Sequence, residues 1–172
     1  MNEPTGFNAG ASVRRATARD LDAMAAMAAE LVRFHHALDR ARFFLAAHLE
    51  QGYRGWFAKE IENPNAVLLV GEHSISEQER VIAGYVYGRI EPRDWNMLLD
   101  RHAALHDVFV QEGARGTGLA RALLEGFVAI CKEAKVPRVV LHSASSNTKA
   151  QAAFTRVGFR PSMVEMFLDL EG

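Results

Sequence analysis

The stretch that decides the fold is residues 105–120, LHDVFVQEGARGTGLA. It opens with a β-rich run, Leu105 to Val110, and passes through three glycines into apolar residues at helical spacing. A strand therefore enters an amphipathic helix through a tight turn. Glycines let the backbone curl closely around a ligand, and the first N–H groups of a helix, together with its dipole, favour an anion. The turn predicts a phosphate-binding site.

Two arginines at the turn, Arg115 and Arg121, could add charge-assisted hydrogen bonds to such an anion. Neither standard nucleotide motif matches: no Lys-Ser/Thr follows the glycines, and their spacing differs from the dinucleotide fingerprint. A nucleotide-phosphate hydrolase is therefore disfavoured, also because no Mg²⁺ carboxylates are evident. An ordinary glycine-rich connection remains the alternative interpretation of the spacing.

Outward from this stretch the pattern alternates between strands and helices. After it come a strand from Arg138 to His142, a helix from Asn147 to Gly158 and a last strand from Met163 to Leu170. The regions before it are these: a strand Val13–Ala16, a helix capped by Thr17, helical stretches through Phe43–His48 and around Trp56–Ile61, and a hairpin of Ala66–Gly71 with Val81–Ile90. The order predicts a mixed α/β fold with one strand-helix-strand crossover.

Length and charge set the class of protein. The chain has 172 residues, which predicts about one domain, and residues 12–172 are assigned to it. The net charge of -1 gives no overall field that would draw nucleic acid or an anionic membrane. The single cysteine, Cys131, excludes an internal disulfide and a multi-cysteine zinc site and fits a reducing compartment.

Residues 1–11 are polar and glycine-rich and are predicted to form a flexible tail. They lack the basic start and apolar stretch of a secretory signal. No window reaches the ~18 consecutive apolar residues that a membrane span needs. A cytoplasmic location without membrane or nucleic-acid partners is therefore expected.

Three separated motifs resemble one family. Arg115-Gly116-Thr117-Gly118-Leu119-Ala120, with Val110 five residues before the arginine, resembles the acetyl-CoA signature Gln/Arg-x-x-Gly-x-Gly/Ala of the GNAT N-acetyltransferase superfamily. The helix from Asn147 through Ala150, Ala153 and Phe154 to Gly158-Phe159 is similar to the family's later Asn-x-x-Ala helix. Val13 to Thr17 with Asp20 is similar to its opening strand and helix. These motifs follow the family's order and together span most of the chain.

The resemblance implies a mixed, splayed central β-sheet flanked by helices, with acetyl-CoA as co-substrate in the gap between strands 105–110 and 138–142. The main chain of the first strand would pair with the pantetheine arm, the turn would hold the pyrophosphate, and Asn147 would contact the cofactor from the other wall. The implied cofactor-binding residues are Val108, Phe109, Val110, Arg115, Gly116, Thr117, Gly118, Leu119, Ala120, Arg121 and Asn147. No covalent enzyme intermediate is implied, so Cys131 is interpreted as a core residue.

Acetyl transfer to an amine needs a neutral amine, a polarised thioester carbonyl and a stabilised thiolate. Leu105 to Val110 resembles the Leu-Glu-Asp-Phe-Phe-Val strand of polyamine acetyltransferases, with His106 at the position of their proposed glutamate base. An imidazole titrates near neutral pH, so His106 and the adjacent Asp107 are the catalytic candidates. Strand alternation places these two side chains on opposite faces, so that one of them meets the substrate. A hydrogen-bonded core histidine is the alternative for His106.

Phe154 departs from the family pattern, because many members have a tyrosine there that is proposed to protonate the thiolate. A phenyl ring cannot donate a proton, which leaves Ser143, Ser145, His142 or bulk water for that step. The same departure supports an alternative function, an acyl-CoA-binding sensor or interaction module without turnover.

The remaining polar and aromatic residues refine the prediction. Glu91, Asp94 and Asp107 favour a cationic acceptor, a small-molecule or protein primary amine, and a homodimer is a candidate assembly. His35 and His36 are interpreted as a partly exposed helix end rather than a pocket wall. No metal site is expected at His102 and His106, because no zincin motif surrounds them. Three aromatic residues are assigned to the core: Trp56, Phe57 and Trp95.

Overall fold

A computed structural model describes residues 11–76 and 79–170 of the chain. Five strands form one sheet in the order β1-β2-β3-β4-β5, antiparallel up to β4, with β5 parallel to β4. The strands and helices are β1 (Ala11–Arg15), α1 (Leu21–Leu38), α2 (Leu49–Ile61), β2 (Ala66–Ser74), β3 (Arg80–Glu91), β4 (His102–Val110), α3 (Leu119–Glu133), β5 (Val139–Leu141) and α4 (Thr148–Val157). The predicted mixed, helix-flanked sheet is confirmed. Of the predicted tail, residues 1–10 lie outside the described residues, and Ala11 is the first residue of β1.

Apolar residues on the two faces of the sheet form two cores. One face carries Val86 and Leu105 and is covered by α3, whose predicted apolar stripe is buried and includes Phe127 and Cys131. The opposite face carries Tyr85 and is covered by α1 and α2. Burying a large side chain of this kind contributes about 1.5–3 kcal/mol, so the two-sided burial fixes which face each strand residue occupies.

The predicted start of α1 is confirmed by its hydrogen bonds. The carboxylate of Asp20 accepts bonds from the backbone N–H and the hydroxyl of Thr17, at 2.7 and 2.9 Å, and pairs with Arg14. The Arg14 guanidinium lowers the pKa of Asp20 to about 2. One short 3₁₀ turn at Ala18–Asp20 then leads into the helix at Leu21.

The helix predicted through Phe43–His48 is wrong. The segment between α1 and α2 is a turn in which Asp39 Oδ1 accepts the N–H groups of Ala41 and Arg42. His48 has a left-handed backbone with φ +57°, so a right-handed helix cannot pass through it. The helix begins at Leu49 instead.

The strand predicted at Met163–Leu170 is also wrong, since none of these residues joins a ladder in the described part of the chain. The segment has no regular secondary structure and is exposed, and Arg42 forms an ion pair with Glu165. The alternation of side chains fits a strand, but a strand also needs a partner edge.

Of the three aromatic residues assigned to the core, Phe57 is buried, whereas Trp56 is 40% exposed. Trp95 is 75% exposed in the turn after β3, where Arg93 lies 5.2 Å over its ring.

The splay of the sheet positions the site. β5 is shorter than predicted and pairs with β4 only from Ala103↔Val139 to Leu105↔Leu141. β4 continues to Val110, paired with β3 alone, so the two parallel strands diverge after Leu105 and Leu141. No helix in the described ranges is long and apolar enough to cross a bilayer.

Candidate active site

A pocket opens where β4 and β5 diverge. Side chains from β4, from β5 and the loop after it, from α1 and from α4 line this pocket, and its apolar wall includes Leu31, Val108 and Phe154. The polar residues that line it are His35, His106, His142, Ser143 and Asn147. Three of the predicted site residues, His106, Val108 and Asn147, therefore line one pocket, although 41 positions of the chain separate His106 from Asn147.

His106 sits at a β-bulge, which corrects the prediction that His106 and Asp107 point to opposite faces. Asp107 pairs with Tyr87 and Leu105 pairs with Gly88, so His106 is the extra residue of β4. The His106 ring stacks on Tyr87, and Asp107 accepts a hydrogen bond from Tyr85, which lies on the same face as Tyr87. A bulge interrupts strand alternation and re-aims a side chain. Both candidate bases consequently lie on one face.

His106 combines contact with the pocket and access to solvent. Its ring lies 5.3 Å from the buried Tyr87 ring, and the Tyr87 hydroxyl donates to Glu60 at 2.8 Å. Partial burial lowers the pKa of His106 below its ordinary value, while the charges of Glu91 and Glu60 partly oppose this effect. The imidazole is therefore neutral near pH 7 and available to accept a proton.

Asp107 follows His106 in β4 but does not line the pocket. The Tyr85 hydroxyl donates to its carboxylate at 3.1 Å. Burial raises the pKa of Asp107 to about 6, only partly opposed by that hydrogen bond. Tyr53 is close enough that burial and the charge of Asp107 together raise its own pKa to about 12. Asp107 thus titrates near neutrality, as a general base requires.

The glycine-rich turn has the geometry of an anion cradle. Gly116 and Gly118 have φ of +80° and +88°, a left-handed backbone that glycine adopts without strain, and the Thr117 hydroxyl donates to the Ala114 carbonyl at 2.7 Å. Gly118 is the N-cap of α3, has no side chain to cap it, and no acidic residue occupies the first turn. Ala122 N–H bonds to the Gly118 carbonyl, which leaves the three preceding N–H groups of the helix at its open end. These residues fit a pyrophosphate.

The two arginines of the turn have partners in this structure. Arg115 Nε donates to the Val110 carbonyl at 3.1 Å, which ties the turn to the end of β4. Arg121 Nε donates to Glu125 at 2.7 Å on the exposed side of α3. Each guanidinium group carries further N–H donors besides the one used in these bonds.

α4 supplies the wall opposite β4. Asn147 is its N-cap, and the Asn147 side chain accepts the Ala150 N–H at 3.2 Å, as predicted for the start of this helix. Phe154 packs edge-on against Phe159, with ring centroids 6.0 Å apart, and turns toward the pocket without a proton to give. Of the residues predicted to replace the tyrosine, His142 and Ser143 line the pocket, whereas Ser145 does not.

His35 contributes to the pocket, which the sequence interpretation did not favour. It is partly exposed in the last turn of α1, as predicted, but it also lines the pocket, the position that the sequence interpretation had ranked second. His35 follows Leu31 by four positions, and Leu31 belongs to the apolar stripe of α1. Residues four apart share a helix face, and this spacing was the signal that pointed to the pocket.

Two of the acidic residues predicted to attract a cationic acceptor, Glu91 and Asp94, differ in their surroundings. Glu91 ends β3, and its charge acts on His106. Asp94 instead accepts the N–H groups of Asn96 and Met97 at 2.8 and 3.0 Å and closes the turn after β3. Asp94 therefore has a structural role in that turn.

Comparison with known proteins agrees with this geometry. The model of the acetyltransferase (GNAT) family matches residues 31–159, three quarters of the chain. A mycothiol acetyltransferase of Jonesia denitrificans is 32% identical over 87 residues, which cover 51% of this chain. The chain spans 26% of the length of that relative.

Solved structures share the fold. A tetramutant of the BH1408 protein of Bacillus halodurans is 20% identical, with a TM-score of 0.77, and the match covers 92% of this chain and 99% of that one. The aminoglycoside N-acetyltransferase AAC(6')-Iy in complex with CoA is 14% identical, with a TM-score of 0.74 and 98% of both chains covered. The family model matches three quarters of the chain, and the order of the elements and the splayed sheet agree with it. The chain therefore belongs to the GNAT family of acetyl-CoA-dependent acetyltransferases.

Proposed function

We propose that this chain transfers the acetyl group of acetyl-CoA to a primary amine by direct attack, without a covalent enzyme intermediate. The observation that carries the proposal is the pocket at the divergence of β4 and β5, which is lined by His106 and lies on the strand that leads into the anion cradle of α3. Bound acetyl-CoA supplies a thioester carbon for the amine to attack. The family match supports this reaction class.

Cofactor binding is assigned to main-chain groups on β4 and α3. The free edge of Val108–Val110 faces the gap that β5 leaves, and an extended pantetheine arm pairs there as an added strand would. The N–H groups at the start of α3 bind the pyrophosphate, and Arg115 and Arg121 add charge. Asn147 contacts the cofactor from the α4 side.

His106 is assigned as the general base. An amine that reaches the pocket as an ammonium ion must lose one proton before it can attack, and neutral His106 accepts that proton directly or through water. Asp107, on the same face and with a pKa of about 6, is the alternative base. His142 and Ser143 are the pocket residues that can assist the leaving thiolate in place of the missing tyrosine.

The acceptor is assigned as a cationic amine, of a small molecule or of a protein. The charge of Glu91 acts on His106, and the Asp107 carboxylate follows His106 in β4. Carboxylates near a pocket attract and orient an ammonium group. Asp94 no longer supports this assignment, because its carboxylate closes a turn.

A homodimer in the cytoplasm is the proposed state of the protein. The exposed segment from Met163 to Leu170 presents apolar side chains in a row, with Met166 and Leu170 87% exposed, and exposed apolar patches of this kind mark interaction sites. The single buried Cys131 is compatible with a reducing compartment.

The test is an assay for CoA thiol release over four amines: 1,4-diaminobutane, 2-phenylethylamine, glycine and a lysine-containing peptide. Products are identified by mass spectrometry, and acetyl-CoA binding is measured by calorimetry in parallel. We expect an N-acetylated product, formed fastest with a cationic acceptor at low salt. Faster turnover of glycine would overturn the assignment of the acceptor. Acetyl-CoA binding without turnover of any amine would favour the second candidate, a CoA-binding module, which Phe154 in place of tyrosine supports.

A further inference from the structure

His35 has a fixed tautomer. Its Nδ1 lies 3.0 Å from the carbonyl oxygen of Leu31, one helical turn earlier. A carbonyl oxygen only accepts hydrogen bonds, so Nδ1 carries the proton and Nε2 of the neutral ring carries a lone pair. The nitrogen left to meet a ligand is therefore an acceptor.

The ring is also held in one orientation. His35 lies edge-on to Phe34 at 5.7 Å and tilted against Phe43 at 5.0 Å, measured between ring centroids. Burial lowers the pKa of His35, more than the Leu31 carbonyl raises it, so the ring is neutral at pH 7. A polar group whose rotamer is locked by packing and by a backbone hydrogen bond is preorganised to bind.

His35 is one of the residues that line the pocket already described. His35 comes from α1, whereas His106 comes from β4 and His142 follows β5, so three separate elements bring a histidine to one opening. In the proposed reaction His106 accepts the proton of the reacting nitrogen, and Nε2 of His35 has no assigned role.

We propose that His35 is an acceptor-binding residue: its Nε2 accepts a hydrogen bond from an N–H group of the incoming amine and orients the amine nitrogen toward the thioester. This assignment rests on the proposed function. His35 selects amines that keep an N–H bond free for it, and His106 remains the proton acceptor. Primary amines are favoured over secondary ones by this contact, because a primary amine keeps two N–H bonds once His106 has taken a proton from its ammonium form, whereas a secondary amine keeps one.

The chain offers a matched control in the next residue. His36 is also half-buried in α1, and its Nδ1 also contacts a backbone carbonyl, that of Phe43, at 2.7 Å. Unlike His35, His36 does not line the pocket. The same substitution at the two positions removes a similar ring and a similar backbone contact, but only His35 lines the pocket.

The experiment compares His35→Asn, His35→Gln and His36→Asn with the wild-type protein. Asparagine keeps an amide donor near the position of Nδ1 but loses the distal acceptor, whereas glutamine places an amide oxygen near the position of Nε2. Kinetics use whichever of the four panel amines the wild-type protein turns over fastest, and melting temperatures are recorded for every variant.

We expect His35→Asn to raise KM for the amine at least about tenfold, as loss of a hydrogen bond to a charged partner does, with KM for acetyl-CoA unchanged. His35→Gln should restore most of the loss, and His36→Asn should match the wild-type protein. An unchanged amine KM in folded His35→Asn, or an equal rise in His36→Asn, would overturn the proposal. No turnover by the wild-type protein would instead defeat the proposed function.

A second readout covers the case in which His35→Asn does not fold. In long-range ¹H–¹⁵N spectra of the wild-type protein, His35 and His36 should both show the Nδ1–H tautomer. Addition of CoA and the panel amine that the wild-type protein turns over fastest should move the Nε2 resonance of His35 and leave that of His36 in place. An unmoved His35 Nε2 resonance at a saturating concentration of that amine would overturn the proposal.

Discussion

Replacing Asp107 by asparagine should stabilise the protein near neutral pH. The carboxyl has a pKa of about 6 against an ordinary value of 3.8, because burial disfavours its charge. A pKa shift of that size corresponds to a cost of roughly 3 kcal/mol in the free energy of unfolding when the carboxyl is charged. Because solvent reaches the half-buried side chain, we expect a cost of about 1–3 kcal/mol. Asparagine has nearly the same shape, and its amide oxygen can still accept the Tyr85 hydroxyl.

The effect of Asp107 on stability depends on pH, because its pKa differs between the folded and the unfolded protein. Unfolded, Asp107 loses its proton near pH 4; folded, it keeps the proton up to about pH 6. Between these values the folded state binds more protons, so the contribution of Asp107 to stability falls as pH rises, and the whole cost is present above about pH 6. The gain from Asp107→Asn is therefore absent near pH 4 and complete near pH 7.5.

Urea unfolding of wild-type protein and Asp107→Asn at about pH 4 and about pH 7.5 measures this difference. At the higher pH a gain of 1 kcal/mol would raise the melting temperature by about 2–4 °C in a domain of this size. Asp22→Asn is the control, since Asp22 is an exposed aspartate in a surface ion pair with Arg54. Equal destabilisation by Asp107→Asn at both pH values would refute the account of Asp107. A gain in stability with a loss of turnover would indicate that the buried charge is retained for function.

Three further predictions concern the cradle, the leaving group and the core. Gly118→Val should weaken acetyl-CoA binding at least tenfold by calorimetry, because a φ of +88° is strained for valine. Gly113→Ala is the control and should leave the affinity unchanged, because its Cβ would meet nothing within 4 Å. An unchanged affinity in folded Gly118→Val would contradict the role of the turn as an anion cradle. Phe154→Tyr adds a proton donor to the pocket and should raise kcat severalfold in thiol release; an unchanged kcat would show that the thiolate is protonated elsewhere. Gly88→Ala should lower the free energy of unfolding, measured in urea, by about 1–3 kcal/mol. The reason is that its Cβ would lie 2.6 Å from the Phe127 ring and 2.5 Å from the Ala104 carbonyl oxygen. An unchanged free energy of unfolding would contradict tight packing at this position.

Local patterns predicted the elements that carry the proposed cofactor site. The run from Leu105 to Ala120 encodes its strand, turn and helix within sixteen residues, and glycine and cap residues fix where each one ends. The start of α4 at Asn147 and its end at Gly158 follow from the same local chemistry, an N-cap side chain and a left-handed C-cap. Interactions between residues that are close in the chain can therefore be predicted from the sequence.

Features that depend on distant partners were not predicted. The bulge at His106 arises from its register with β3, and no local signal in β4 announces it. The segment at Met163–Leu170 has a strand pattern but no neighbouring edge in the described part of the chain. The pocket position of His35 depends on where α1 crosses the divergence of β4 and β5, which is a tertiary property.

The dependence of kcat/KM on pH, compared between the wild-type protein and His106→Ala, tests the central claim most directly. If His106 accepts the amine proton in the pocket, the wild-type profile has an acidic limb below the ordinary histidine pKa, since burial lowers the pKa of His106. His106→Ala should then lose at least about 10² in kcat/KM and that limb with it, with acetyl-CoA affinity and melting temperature nearly unchanged. An unchanged limb with a lowered melting temperature would contradict the claim and leave His106 as a structural histidine packed on Tyr87.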